Sequence, residues 1–310
     1  MIYGSKEANQ HVLLDNILEQ IQHSDSKPVI AVAAAGDEEV IQSVALAAKE
    51  KIASFKLFGN EEKIRFFLNE QGLHDTEGIT VVPCGDNEAS LLAVQAVKEQ
   101  KAHIVMKGMV STSSLLKAVL HKEQGLRTGK ILSHIAAFEV QGYDRLIYVT
   151  DAAMNIAPDL AQKAEIIQNA ITFAASVGTV MPKVAVIAAV ETVNPAMQPT
   201  LDAAALAVMN KRGQITGGIV EGPFALDNAI SLDAAEHKGI HGEVAGKADI
   251  LAVPSIETGN VLYKSLMYFA KAKAGAVILG AKAPVVLTSR ADSAESKFYS
   301  IALAVRSLKS

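Results

Sequence analysis

From about Pro28 onward the chain repeats one rhythm: a short run of apolar, largely β-branched residues, a turn signal, then an amphipathic stretch rich in alanine. PVIAVAAAG leads into DEEVIQSVALAAKEKI, SFKLFGN into EEKIRFFLNEQG, GITVVPCG into NEASLLAVQAVKEQ, and AHIVMKG into STSSLLKAVLHKEQG. Short β-rich runs bounded by glycine and separated by helical stretches of about 10–15 residues predict βαβ units in a parallel sheet. The runs around Ile30, Val81 and Ile104 do not alternate apolar with polar, which predicts strands covered on both faces. The rhythm breaks between Leu132 and Thr150. There SHIAAFEV and RLIYVT are separated only by QGYD, the pattern of a hairpin or of a crossing between domains.

A long helix is predicted over Pro158 to Ser176, opened by Pro and Asp. The βα rhythm then resumes through KVAVIAAVE, ITGGIVEGP, ADILAVPS and GAVILG, and a last strand, Ala283 to Thr288, feeds a helix from about Ala291 to Leu308. No Pro- or Ser-rich linker divides the chain, so two domains, which a chain of 310 residues accommodates, would be tightly coupled around a cleft. Loops at strand C-termini line such clefts in α/β proteins.

Composition narrows the class. Half the residues are apolar and a fifth charged, as in a well-packed globular protein. A net charge of −4 argues against nucleic acid as partner. The single cysteine, Cys84, excludes an intrachain disulfide framework and a cysteine-rich zinc site, and reads as an inert small hydrophobe in a reduced, cytoplasmic setting. The N-terminal stretch lacks a signal-peptide pattern, and no uncharged apolar run reaches the ~18 residues of a spanning helix.

The common nucleotide and hydrolase signatures are missing: no G-x-x-x-x-G-K-[ST], no G-x-G-x-x-G after the first strand, no H-E-x-x-H and no G-x-S-x-G. His121, His134, His237 and His241 show no ligand spacing and read as surface or structural residues. Three strand-to-helix openings carry the candidate chemistry. The first is Lys107-Gly108-Met109-Val110-Ser111-Thr112-Ser113-Ser114, where glycine permits close backbone approach, and hydroxyls, N–H groups and the Lys107 ammonium suit phosphate. It reads equally as a plain βα loop with a Ser or Thr cap. The second is Ser289-Arg290-Ala291-Asp292-Ser293, an arginine beside the unpaired N–H groups of a helix start. Ser289 with Asp292 also fits a capping pattern that needs no function. The third is Glu257-Thr258-Gly259-Asn260 after ADILAVPS.

At these residues the chain resembles the phosphate acetyl/butyryltransferase family. KGMVSTSSLLKAVL, YVTDAAMNIAPDLAQKAEII, IVEGPFALDNAIS, VAGKADILAVP, ETGNVLYKSL and SRADS recur in the family's order, from about Lys107 to Arg306. GPFALDNAIS and TSRADS look closer to the butyryl than to the acetyl enzymes. The resemblance implies an α/β fold of two domains with parallel-type sheets and an inter-domain cleft, like isocitrate and isopropylmalate dehydrogenases. The first domain would be discontinuous, residues 1–137 plus 283–310, around a second domain of residues 138–282. It also implies a homodimer or dimer-based oligomer, no permanent cofactor, no metal, and reversible acyl transfer between coenzyme A and inorganic phosphate without a covalent enzyme intermediate.

By matching positions, Arg290 would clamp phosphate and Ser289 would donate to the reacting carbonyl or phosphate. Lys107, Gly108, Ser111, Thr112, Ser113, Gly259 and Asn260 would bind substrate. The aspartate that acetyl enzymes use as base falls at Ser296, beside Glu295, so Asp292 is the preferred base here. A family arginine beyond the first-domain loop is replaced, its nearest counterpart being Lys117. Other readings are phosphate acetyltransferase, an inactive acyl-CoA-binding module, and a metal- and NAD-dependent dehydrogenase. The last needs clustered aspartates, and Asp151, Asp159, Asp227 and Asp233 lack that spacing.

Overall fold

A computed structural model describes residues 13–23, 27–289 and 292–308. The elements in chain order are α1 (Leu14–Gln22), β1 (Val29–Ala33), α2 (Glu38–Lys49), β2 (Ser54–Gly59), α3 (Glu61–Glu70), β3 (Ile79–Pro83), α4 (Asp86–Lys98), β4 (Ile104–Lys107), α5 (Thr112–Val119), β5 (Ser133–Glu139) and β6 (Ile147–Thr150). They continue as α6 (Leu160–Ser176), β7 (Lys183–Ile187), α7 (Gln198–Lys211), β8 (Ile219–Phe224), α8 (Leu226–Ile230), α9 (Leu232–His237), β9 (Ile250–Ala252), α10 (Ile256–Tyr268), β10 (Lys273–Leu279), β11 (Val285–Val286) and α11 (Ala294–Ser307). The predicted βα rhythm is present, and α6 opens with a complete capping box on Asp159 and Gln162.

The strands form one mixed sheet of eleven in the order β3-β2-β1-β4-β11-β10-β5-β6-β9-β7-β8. β3, β2, β1, β4 and β11 are mutually parallel. β6, β9, β7 and β8 form a second parallel block. Between the blocks β10 pairs antiparallel with both β11 and β5, and β5 antiparallel with β6, so the blocks run in opposite directions. The Leu132–Thr150 break is therefore the β5–β6 hairpin.

Register fixes where the two blocks meet. One row of paired residues crosses the sheet as Val105, Val285, Ile278 and His134, and the next row continues as Ile135, Thr150 and Ala252. Lys107 lies two residues beyond that first row and Asp151 one beyond Thr150, so the C-terminal ends of both blocks finish together at the middle of the sheet.

The two faces differ. On one, a single apolar core runs through both blocks, from Val32, Phe55 and Met106 through Val277 and Ile135 to Val184 and Val220, under α2, α11, α6 and α7. On the other the core is divided. Ala31, Val105, Ile278 and Val285 pack under α4 and α5, whereas Ala136, Phe138, Val149 and Leu251 pack near α8, α9 and α10.

β1 and β4 are buried as expected, but β3 is not: Val81 is only half-buried. β3 is the outermost strand, with a partner on one side only, so its apolar run is not enclosed. Among the described residues no helix is long and apolar enough to cross a membrane.

Candidate active site at the centre of the sheet

The β4–α5 connection rests directly on the end of β1. Gly108 N–H donates to Ala33 O at 2.9 Å and Met109 N–H to Ala34 O at 2.8 Å. A Cβ on Gly108 would stand 2.2 Å from Ala34 O, so only glycine allows this approach. Lys107 is 4% exposed, and its Nζ donates to Gly108 O at 3.1 Å. Ser111 is the N-cap of α5, its Oγ accepting the Ser114 N–H at 3.0 Å. Ser111, Thr112 and Ser113 are exposed. The capping reading of this loop is thus met by Ser111, while Lys107 is drawn inward.

After β11, Ser289 and Asp292 are bonded to each other. Asp292 N–H donates to Ser289 O at 3.2 Å, and Ser289 N–H donates to Asp292 Oδ2 at 2.7 Å. Ser289 is exposed, and Asp292 is 9% exposed. α11 begins at Ala294 rather than near Ala291, because Ser293 is its cap and accepts the Ser296 N–H at 3.2 Å. Ser289 and Asp292 therefore precede the helix and do not share a helical face with Ser296. Arg290 and Ala291 lie outside the described residues. Lys297, 3% exposed, donates to the Asp292 carbonyl and pairs with Glu39 at 3.1 Å, which ties Asp292 to α11 and α2. Lys107, Gly108, Thr288, Ser289 and Lys297 line one cavity of about 330 Å³ together with the acidic Asp37, Glu38 and Glu39. The structure thus joins the first two predicted openings.

The third opening stands apart. Gly259 packs α10 against the loop after β6, where a Cβ would stand 2.5 Å from Asp151 O. Asn260 is exposed, with its Nδ2 3.5 Å from Ala152 O. Neither lines the Lys107–Ser289 cavity. What α10 contributes instead is Tyr263, whose ring meets His134 edge-on at 6.0 Å and Phe138 at 5.3 Å. Burial and then the Asp292 charge push the Tyr263 phenol well above its usual range, so it stays a hydrogen-bond donor.

His134 and Asp151 were not read from the sequence as site residues. Asp151, 3% exposed, accepts from Ala153 N–H and Met154 N–H, both at 2.9 Å, and from Asn155 Nδ2 at 2.6 Å. His134 is 5% exposed, and its Nδ1 has no hydrogen-bond partner among the described residues. Desolvation lowers its pKa from 6.5, against the opposing charges of Asp151 and Asp292. A lone histidine at a strand start gives no pattern, and only the register brings it to these carboxylates. Lys297 was missed for a similar reason, since a lysine in the first turns of a helix reads as solvated.

The arrangement offers an exposed hydroxyl, two buried ammonium groups, two buried carboxylates, a neutral imidazole and a phenol around the line where the strand blocks meet. That set suits binding an anion and moving a proton beside it.

Comparison with known proteins agrees in scale. A 57% identity over 276 residues, 89% of this chain and 92% of the relative, links it to the probable phosphate butyryltransferase of Bacillus subtilis (strain 168). The phosphate acetyltransferase of Thermotoga maritima is 46% identical over 94% of this chain and 98% of its own. The crystal structure of a branched-chain phosphotransacylase from Enterococcus faecalis V583 superposes with a TM-score of 0.82 at 38% identity, covering 91% of this chain and 99% of that one. With the α/β fold, these likenesses define an acyl-transferring class. The family described as phosphate acetyl/butaryl transferase matches residues 86–305, and the chain belongs to it.

Proposed function

We propose that this chain is a phosphate butyryltransferase: it transfers a short or branched acyl group reversibly between coenzyme A and inorganic phosphate, giving acyl phosphate and free coenzyme A. The observation that carries the reading is the cavity shared by Lys107, Gly108, Ser289 and Lys297, beside the buried Asp292, in a chain similar along nearly its whole length to a probable phosphate butyryltransferase. Coenzyme A is a substrate in this reading and no resident cofactor takes part.

Two bound reactants held in one cleft behave as one molecule, and positioning supplies much of the rate. Ser289, exposed at the cavity, donates to the reacting carbonyl or to phosphate, and Arg290 clamps the phosphate oxygens. Asp292 supplies the buried carboxylate of the proton-transfer machinery, which its burial favours over the exposed Glu295. The exposed hydroxyls of Ser111, Thr112 and Ser113, with Gly259 and Asn260 across the gap, contact the longer coenzyme A substrate.

The cleft belongs to the same proposal. A first domain of residues 1–137 plus 283–310 and a second of residues 138–282, arranged as in isocitrate and isopropylmalate dehydrogenases, would place the site at their junction. Support comes from the divided core on one face and from the reversal of strand direction at β10 and β5. A homodimer or dimer-based oligomer in the cytoplasm completes the reading.

Thiol release from butyryl-CoA tests it, measured with and without phosphate, with chelator present, and with acetyl-CoA in parallel. Strictly phosphate-dependent, chelator-insensitive release that is faster with butyryl-CoA is expected. Faster release from acetyl-CoA would turn the reading to phosphate acetyltransferase, for which the 46% identity to the Thermotoga maritima enzyme is the specific support. Arg290→Ala should raise the KM for phosphate far more than it lowers stability.

A further inference from the structure

We propose that His134 is the proton carrier of this site, accepting the thiol proton of coenzyme A and delivering it to the phosphate oxygen that departs. The proposal rests on the transferase reading above and names a residue that reading leaves idle.

Position is the first argument. His134 occupies the row Val105, Val285, Ile278, His134, at the level where the C-terminal ends of the two strand blocks converge. Strand alternation puts Ile135 and Ala137 in the continuous core and turns His134 to the opposite face. On that face the core is split in two, and His134 stands between Ile278 of one part and Ala136 of the other, with its ring against Tyr263.

The surroundings are the second argument. Asp151 directly follows Thr150, the partner of Ile135, and its carboxylate charge acts on the His134 ring. The Asp151 carboxylate is held by three donors from residues 153–155 and so cannot swing away. Asp292 acts on the ring from between β11 and α11, Tyr263 closes it from α10, and the β10 neighbour, Ile278, is apolar. The imidazole Nδ1, enclosed and without a partner among the described residues, is a buried acceptor or donor open to substrate.

Chemistry is the third. Imidazole is intrinsically a stronger proton acceptor than a carboxylate, and burial keeps the His134 ring in its neutral, accepting form. The atoms balance. The S–H proton moves to His134 as sulfur bonds to the carbonyl carbon of the acyl phosphate. The imidazolium is stabilised by the charges of the Asp151 and Asp292 carboxylates. The carbon–oxygen bond to phosphate then breaks, and the proton leaves on the phosphate oxygen, regenerating neutral His134. Acyl transfer in the other direction reverses each step.

The test measures attack of coenzyme A on butyryl phosphate by the wild-type protein and by His134→Gln, across pH 5 to 9. We expect a fall in kcat of about 10²–10³-fold at pH 7, with KM values for both substrates moved less than about threefold. Wild-type kcat/KM should decline on the acid side with a midpoint below 6.5, since desolvation favours the neutral ring, and the variant should lack that limb. A smaller loss than about tenfold, or an unchanged acid limb, would overturn the proposal. His134→Asn serves if the glutamine variant does not fold. Independently of any variant, a wild-type kcat/KM that is flat from pH 5 to 7 also removes His134 from the proton path. A wild type with no phosphate-dependent thiol release from any short acyl-CoA defeats the transferase reading itself, and the proposal falls with it.

Discussion

Asp292 links the backbone after β11 to the electrostatics of the whole site: its Oδ2 accepts the Ser289 N–H, and its charge reaches both His134 and Tyr263. Asp292→Asn keeps an acceptor for the Ser289 N–H but removes the charge. Stability should change by no more than about 1 kcal/mol, the scale of a lost cap. Turnover should fall at near-normal KM, and the acid limb of the rate profile should move to lower pH, because a carboxylate that favours the imidazolium is gone. Urea unfolding beside a pH–rate series separates the two effects. His134 carries a stability signature as well. Its folded-state pKa lies below 6.5, so the unfolded chain takes up a proton first as pH falls. Its contribution is present above 6.5 and declines below it until the folded imidazole itself protonates. The stability of wild type relative to His134→Gln should therefore be smaller at pH 5.5 than at 7.5. At Gly108 the constraint is steric. Gly108→Ala places a methyl 2.2 Å from a backbone oxygen, and a loss of about 1–3 kcal/mol with displaced Lys107 is expected in melting and activity together.

At the scale of elements, α6 and α7 are joined by Lys163 and Asp202, a nearly buried pair 2.6 Å apart, with Gln198 Nε2 donating to the second carboxylate oxygen at 2.8 Å. Removing one partner strands a charge away from water. Lys163→Met should cost about 3–5 kcal/mol, and Asp202→Leu added to it should recover most of that loss, which a double-mutant cycle in urea reads directly. No part of this pair was visible in the sequence, because Lys163 and Asp202 look like solvated helix positions. The elements themselves were readable. Hydrophobic periodicity located the βα units, and Pro158 and Asp159 marked the start of α6 within two residues. Local rules failed where a residue's neighbour is distant in sequence. Nothing near Val81 announces that β3 is an edge, and nothing near Ser289 says that Ser293, not Ser289, caps α11. The site was half legible for the same reason. Lys107, Gly108 and Ser289 sit at strand ends that motif reading can find, whereas His134, Asp151 and Lys297 acquire meaning only from register and packing.

For the molecule as a whole, the decisive feature is that β11 and α11 come last in the chain and yet lie at the middle of the fold. β11 stands between β4 and β10, and α11 presents Ile301, Leu303, Ala304 and Val305, all at most 1% exposed, to the core shared by both strand blocks. Ala276 N–H donates to Ser300 Oγ at 2.9 Å, and Gly275 lies against the backbone of Tyr299, so the helix is seated on β10 itself. A chain ending at residue 282 would leave β4 and β10 as unpaired edges and open that core. Exposed apolar edges favour aggregation. The truncated chain should lack a cooperative thermal transition and be cleaved rapidly by protease, although most of its sequence is intact. The same continuity sets how the full chain unfolds. Since one core crosses the sheet from β2 to β8, the proposed domains cannot melt separately without exposing it, and calorimetry should give one transition with a calorimetric to van't Hoff enthalpy ratio near one. Two resolved transitions, or a sharp melt of the chain ending at 282, would mean that each half is held by its own part of the divided face. The continuous face would then be a hinge between independent units rather than the base that fixes His134 against Asp292.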